Sequence, residues 1–157
     1  TITRDLRAAN PINPVSPISS YDTSVSFSVY CSTVGVSSCG TDNLRPVTYT
    51  VSNYQLSKIV GSTTDPLLGP AGNNGAVTSR RGAIVNSASQ PVFTYYKKDG
   101  TLLPTSGDLS VTPEKFRDCA QYVEIHLVVV AEPGKPNSRV NLVTRADLRN
   151  FNQVTAC

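Results

Sequence analysis

The segment 122–132, YVEIHLVVVAE, decides the fold class of this chain. Val123, Ile125 and Leu127 alternate with polar residues, which places them on one face of an extended strand. The longest apolar run, Leu127–Ala131, is far shorter than the roughly eighteen apolar residues that a membrane-spanning helix needs. The segment is therefore predicted to be a buried strand.

The same alternation recurs earlier in the chain. Segment 23–31, TSVSFSVYC, alternates apolar side chains with serines, and segment 45–60, RPVTYTVSNYQLSKIV, alternates again. We expect 45–60 to form strand on both sides of a kink at Ser52. Residues 61–83 are rich in Gly, Pro and Asn without a period, which predicts a long loop. Together these segments predict an antiparallel meander with one solvent-exposed face.

The segment FTYYKKDGTLL predicts a hairpin, because Asp99-Gly100 supplies the positive φ angles that a tight turn needs. Tyr95 and Tyr96 point to opposite faces of this strand, so one of the two rings is expected in the core. Residues 110–121, SVTPEKFRDCAQ, predict a short helical turn because Thr, Pro and Glu stand at positions that favour a helix start.

The first ten residues, TITRDLRAAN, predict the end of a helix. Ile2, Leu6 and Ala9 share one helical face and are expected to pack on the sheet, and the pattern stops before Pro11. The 157 residues then form one domain, comprising a helix end (1–10), an extended linker (11–22) and a β-rich head (23–157). Because helix and antiparallel sheet are segregated, the predicted class is α+β.

Composition and charge narrow the possible partners. Only 16% of the residues are charged and the net charge is +3, with lysines and arginines scattered along the chain. This is not the basic stripe of a nucleic-acid-binding protein. Arg80 and Arg81 form a possible contact for an acidic partner, although a solvated loop pair is the commoner arrangement. The segment FTYYKK is at most a weak platform for single-stranded DNA.

No catalytic, cofactor or metal site is predicted. His126 is the single histidine, and a strand histidine without a nucleophile motif is more often structural than catalytic. The chain contains no phosphate loop, dinucleotide fingerprint, HExxH motif or calcium loop. The sequence therefore favours a protein that is not an enzyme.

Four cysteines, Cys31, Cys39, Cys119 and Cys157, are separated too widely for a zinc ribbon. An even number of cysteines in a polar chain predicts two disulfides and an oxidising compartment. Three pairings are possible. Our hypothesis joins Cys31 to Cys39 and Cys119 to Cys157, because these pairs link segments that neighbour each other in a meander.

The order of these motifs resembles the type IV pilin-like superfamily, and is most similar to minor pilins and minor pseudopilins of the J kind. The similarity covers most of the chain. The segments that carry it are RDLRAANPI (4–12), VSFSVYC (25–31), RPVTYTVSNYQLSKIV (45–60), GAIVNSASQPVFTYYKKDGTLL (82–103), YVEIHLVVVAE (122–132) and SRVNLVTRADLRN (138–150).

The resemblance implies a pilin-like headpiece, in which the C-terminal part of a spine helix packs on an antiparallel sheet. It implies a non-catalytic filament subunit that acts in assembly or at the tip and contacts other pilin or pseudopilin subunits. The family's leader and hydrophobic helix half are absent here, so the chain is expected to be a truncated soluble headpiece. Its membrane contact would come only through that missing helix, and its location would be the bacterial cell surface, the exterior or the periplasm.

The resemblance also assigns roles within the head. The sheet and the loop 61–83 would form the outward face, and a Cys119–Cys157 disulfide would suit the C-terminal bridge common in the family. A tip module that contacts a surface, DNA or secreted cargo is the alternative. A secreted enzyme ranks below both.

Overall fold

Two antiparallel β-sheets and one short helix make up the part of the chain that this computed structural model describes. The described residues are 1–9, 23–31, 43–70, 81–87, 89–103, 120–132, 134–135 and 137–148. In chain order the elements are α1 (Ile2–Arg7), β1 (Ser24–Tyr30), β2 (Leu44–Ser52), β3 (Gln55–Val60), β4 (Thr63–Leu68), β5 (Phe93–Tyr96), β6 (Tyr122–Val130) and β7 (Arg139–Asp147).

The first sheet, sheet A, is a meander in the order β1-β2-β3-β4, and all its neighbouring strands are antiparallel. The alternation predicted for β1 is confirmed, since Val25, Phe27 and Val29 are buried. On the other face, the hydroxyls of Ser26 and Thr48 lie 2.6 Å apart across the β1–β2 pair.

The predicted kink at Ser52 is wrong, because the chain reverses there. Asn53 and Tyr54 have φ angles of 48° and 64°, and they form the two-residue connection of a hairpin between β2 and β3. Two consecutive positive φ angles give a turn whose twist matches that of the flanking strands. The segment 45–60 is therefore two paired strands.

The predicted loop over 61–83 is wrong in its first part. Gly61, at φ 61°, starts a turn that brings β4 back along β3. Almost all of β4 is exposed, so it has no buried face to impose an apolar period on the sequence. Residues 71–80 lie outside the described residues.

The second sheet, sheet B, has the order β5-β6-β7 with β6 in the centre, as expected of the most apolar segment. The hairpin predicted at Asp99-Gly100 is confirmed: Gly100 has a φ of 87°, and the Lys97 N–H donates to the Thr101 carbonyl. Residues 81–87 run beside the second half of β6, where Ile84 pairs with Val129.

Both sheets contribute to one core. Tyr95 is buried in it, so the prediction that one of the neighbouring tyrosines belongs to the core is confirmed. The largest fully buried side chains are Tyr49, Phe27, Phe93, Leu6, Ile125, Val25, Val29, Val47, Val92, Val123 and Val128.

The predicted α+β class is wrong. The described residues are mostly antiparallel strand, and their single helix, α1, is six residues long. The sheets bury their apolar faces in a shared core, so no long helix is needed to cover either one. Helix α1 ends at Arg7 with Ala8 as its C-cap, and Ala9 already pairs with Val29 of β1. The expected headpiece, with part of a spine helix on a sheet, is not the observed architecture.

Candidate functional site: the helix clasp and the outer face of sheet B

Helix α1 is inserted into the core by the residues that the sequence placed on its apolar face. Leu6 is fully buried and Ala9 nearly so, and Ile2 packs against the same cluster. The helix also packs against β7. A six-residue helix is too short to be stable alone, so these contacts hold it in place.

A buried carboxylate, Asp5, joins α1 to sheet A. The Tyr49 hydroxyl donates to its Oδ2 at 2.6 Å, and the Lys58 ammonium donates to the same oxygen at 2.5 Å. Tyr49 and Lys58 are direct cross-strand partners on β2 and β3, so their side chains project from the same face. We call Asp5, Tyr49 and Lys58 the helix clasp.

The second carboxylate oxygen of Asp5, Oδ1, has weaker contacts than Oδ2. Oδ1 lies 3.5 Å from Arg4 Nε, which is within ion-pair distance. It is nevertheless buried without a hydrogen bond among the described residues. The Arg4 side chain is largely exposed, so this outer contact is weak. The clasp therefore depends on Tyr49 and Lys58.

The clasp has a defined charge state. Burial raises the pKa of Asp5, but hydrogen bonds from Lys58 and Tyr49 and the attraction of Lys58 and Arg4 outweigh it, so the pKa lies below its ordinary value. Burial, together with the hydrogen bond to Asp5, raises the pKa of Tyr49. At neutral pH the carboxylate is ionised and the phenol protonated, which suits both hydrogen bonds.

Sequence reasoning missed the clasp, although a signal for Asp5 was present. Asp5 stands three residues after Ile2 and four before Ala9, which is the spacing of one helical face. A carboxylate inside an apolar stripe needs a buried partner. No local pattern identifies that partner, because Tyr49 and Lys58 are 44 and 53 residues away in sequence.

His126 lies on the side of β6 opposite the core residues Ile125 and Leu127. Its backbone N–H donates to Val92, and its carbonyl accepts from the Asn86 amide. Its side-chain Nε2 is buried without a hydrogen-bond partner among the described residues. A catalytic histidine needs a nucleophile on one nitrogen and an orienting group on the other. In the described part of the chain, no such arrangement is found around His126.

An aromatic and cationic stack occupies the other end of this outer face. The rings of Tyr96 and Tyr122 are stacked with centroids 4.7 Å apart and planes at 10°. The Arg145 guanidinium lies 3.5 Å from the Tyr122 ring centroid and pairs with Asp147 at 2.8 Å. Because both faces of Tyr122 are covered, this ring is not available to a stacked base or sugar.

The remaining sequence-predicted site residues are only partly described. Arg81 is exposed, and its Nε donates to the Ala131 carbonyl at 3.1 Å. Its neighbour Arg80 lies outside the described residues. Cys31 is nearly buried and disulfide-bonded. Its partner, and the other three cysteines Cys39, Cys119 and Cys157, lie outside the described residues, so the proposed pairing stays a prediction.

Within the described ranges, no group of three acidic, histidine or cysteine side chains could hold a metal ion. The helix found there is too short and polar to cross a membrane. A shallow cleft of about 240 Å³ beside the β2–β3 turn is lined by Thr23, Val51, Ser52, Asn53, Tyr54, Ile84 and Asn86. The polar groups of Asn86 are already bound to backbone atoms.

Comparison with known protein families and with curated proteins finds no match to this chain. Its function is therefore argued from the motif order and from the helix clasp.

Proposed function

We propose that this chain is a non-catalytic subunit of a type IV pilus or a related filament, a minor pilin or pseudopilin. It acts in filament assembly or at the tip, at the surface or in the exterior of a bacterium. Its partners are other subunits of the filament. The observation that carries the proposal is the helix clasp, which locks the amino-terminal helix to the β-rich head.

A filament subunit that polymerises through its N-terminal segment must transmit force from that segment to its head. Here the connection has two parts. Leu6 and Ala9 contribute apolar burial in the shared core, and Asp5 contributes a buried ionic contact to two strands of sheet A. A hydrophobic contact alone tolerates sliding, whereas a buried ion pair favours one register. The clasp would thus keep α1 from rotating relative to the β-rich head when force is applied to the filament.

Two further observations support the proposal. The six ordered motifs that resemble minor pilins include the segment RDLR, which contains the clasp carboxylate Asp5. The backbone N–H and carbonyl of His126 are both hydrogen-bonded, to Val92 and Asn86, as expected of a residue that is part of the sheet. The proposal does not depend on the expected fold class, which the observed sheets contradict.

The gene that encodes the chain provides a direct test. The proposal expects codons for a short basic leader and about twenty apolar residues immediately before Thr1. A full-length gene without an apolar segment at that place would overturn it.

A second test uses the clasp in the bacterium that carries the gene. Asp5→Asn in the full-length protein is expected to reduce the number of surface filaments counted by electron microscopy. Glu132→Gln, which changes an exposed carboxylate, is the matched control and is expected to leave the count unchanged. If deletion of the gene leaves filaments and filament-dependent secretion intact, the proposal is wrong.

The alternative function, a tip module that contacts a surface, DNA or secreted cargo, has less support. Of the two candidate rings in FTYYKK, Tyr95 is buried and Tyr96 is stacked on Tyr122, and Arg81 donates to a backbone carbonyl. Binding of single-stranded DNA that weakens steeply with added salt and is reduced by Arg81→Ala would revive this alternative.

A further inference from the structure

Among the described residues, β7 is an edge strand of sheet B with no strand paired on its outer side. Its first seven residues are all exposed, and its register with β6 is unbroken from Arg139 to Asp147. It contains neither proline nor glycine. Native proteins usually protect such an edge, because its free backbone groups can pair with another strand.

The edges of sheet A differ from β7. Along β1, Ala9 pairs with Val29. The other edge strand, β4, contains Pro66 and has a register shift between Leu56 and Ser57 of its partner strand, features that discourage further pairing. The edges of sheet A are therefore protected against pairing with another strand, whereas the β7 edge of sheet B is not.

The backbone of β7 is oriented for pairing. The ladder between β6 and β7 is bracketed by hydrogen bonds to the Ser138 carbonyl and from the Leu148 N–H, so the even-numbered residues of β7 bond to β6. The odd-numbered residues direct their N–H and C=O groups away from the sheet. Among the described residues, the N–H groups of Asn141, Val143 and Arg145 have no partner.

We propose that β7 pairs with β7 of a second copy of this chain, antiparallel and centred on Val143. In this register Arg139 lies opposite Asp147 of the second copy, and the twofold axis repeats the pair at the other end. Asn141 then lies opposite Arg145. Odd-numbered residues face odd-numbered residues, so the outward backbone groups from Asn141 to Arg145 meet as hydrogen-bonded pairs, while the Arg139 N–H donates to the Asn137 carbonyl within its own chain.

Neighbouring symmetric registers fit less well. Centring the pair on Leu142 places Arg139 opposite Arg145, and centring it on Arg145 places that residue opposite its own copy. Like charges directly opposite each other destabilise a sheet. Centring the pair on Asn141 places Arg139 opposite Val143, and centring it on Thr144 places Asp147 opposite Asn141, so neither register forms an ion pair within the strand. Charge complementarity therefore favours a second copy of the chain as the partner that pairs with β7. It also favours Val143 as the centre of that interface.

The proposed pairing also covers exposed apolar side chains. Val143 is 58% exposed, Leu142 47% and Val140 46%. On the inner face Val140 would lie opposite Ala146 of the second copy, and on the outer face the two Val143 side chains would meet at the axis. The two three-stranded sheets would become one continuous six-stranded sheet.

Charge reversal tests the register by sedimentation equilibrium of the 157-residue chain. Arg139→Glu or Asp147→Lys alone places like charges opposite each other, and each is expected to weaken the dimer about tenfold. The double variant R139E/D147K restores opposite charges and is expected to recover the affinity. Lys135→Glu, a charge reversal in the adjacent turn, is the control and should leave the affinity unchanged.

Cysteine cross-linking tests the centre of the interface. Val143→Cys places two thiols at the axis, within the Cα separation that a disulfide spans, and is expected to give a covalent dimer on mild oxidation. Asn141→Cys is the control on the same face, where the two copies would be more than 10 Å apart, and should not cross-link.

Three results would overturn the proposal. These are a chain that stays monomeric up to about 1 mM, a dimer indifferent to the single charge reversals, and a dimer that cross-links equally well through both cysteines. If β7 instead receives a different segment or partner, the isolated chain stays monomeric. The proposal is independent of the filament function, because a subunit of a filament can have a β7 edge that never pairs with its own copy.

Discussion

The helix clasp gives the sharpest prediction, the substitution Asp5→Asn. The side chain keeps its size, and its remaining oxygen can still accept the hydrogen bond from Tyr49. What disappears is the negative charge beside the Lys58 ammonium, whose side chain is only 15% exposed. The variant therefore leaves a mostly buried cation without its counterion.

The expected cost follows from that burial. Removing one partner of a buried ion pair destabilises a protein by about 3–5 kcal/mol. Lys58 retains some contact with water and can reorient towards it, which lowers the expectation to about 2–4 kcal/mol. The substitution is expected to weaken the packing of α1 before that of the sheets, because Asp5 supplies the ionic contact between α1 and sheet A.

The assay is urea unfolding at pH 7, followed by circular dichroism, for wild type and variant. Glu132→Gln is the matched control, since Glu132 also pairs with a basic side chain, at 2.6 Å, but its own side chain is 54% exposed. Exposed pairs contribute about 0–1 kcal/mol. The double variant Asp5→Asn/Lys58→Met should recover most of the lost stability, because it removes both charges and keeps an acceptor for the Tyr49 hydroxyl.

The clasp also predicts how the free energy of unfolding changes at acidic pH. The pKa of Asp5 is lower in the folded protein than its ordinary value, so its contribution is complete above about pH 4 and is lost as the pH falls through the folded pKa. The difference in unfolding free energy between wild type and Asp5→Asn should therefore shrink below pH 4. A difference below about 0.5 kcal/mol at pH 7, or one that does not shrink in acid, would refute the reasoning.

Other predictions concern the Tyr49 hydroxyl of the clasp, two glycines, and Cys31, which directly follows β1. Tyr49→Phe removes a buried hydrogen bond to a carboxylate, and should cost about 1.5–3 kcal/mol in urea unfolding; an unchanged midpoint would contradict it. Gly69→Ala should destabilise by about 2 kcal/mol or more, because φ is 110° and the added Cβ would lie 2.5 Å from the Tyr54 carbonyl oxygen. Gly134→Ala, with φ 76° and no atom within 4 Å, should cost only about 1 kcal/mol; equal effects of the two substitutions would show that the close approach is unimportant. Cys31→Ser removes a disulfide and should cost about 2–4 kcal/mol, so a melting temperature equal to that of wild type would refute its role.

Several features of the fold were predictable from local sequence. The alternation in β1 and β6 correctly assigned Phe27 and Ile125 to the core, because the two-residue period of a strand is a property of the strand itself. Asp99-Gly100 correctly marked a hairpin, because the backbone angles of the turn depend on the residues within it.

Other features were mispredicted where the local signal was weak. Tyr54 adopts a positive φ that a bulky residue seldom takes, so the β2–β3 turn looked like a kink. Strand β4 has almost no buried side chain, and a strand exposed on both faces shows no apolar period. The α+β class followed from extending the helix over residues 1–10 and treating it as the partner of the sheet, whereas α1 has only six residues.

The sequence by itself determined which side chains of each strand are apolar and that α1 carries an apolar stripe, because both patterns arise between residues a few positions apart. Only the tertiary structure decided that the strands divide into two sheets with a shared core, and that Asp5 meets Tyr49 and Lys58. Those contacts join residues 44 and 53 positions apart, and their energy exists only when burial has excluded water from all three groups.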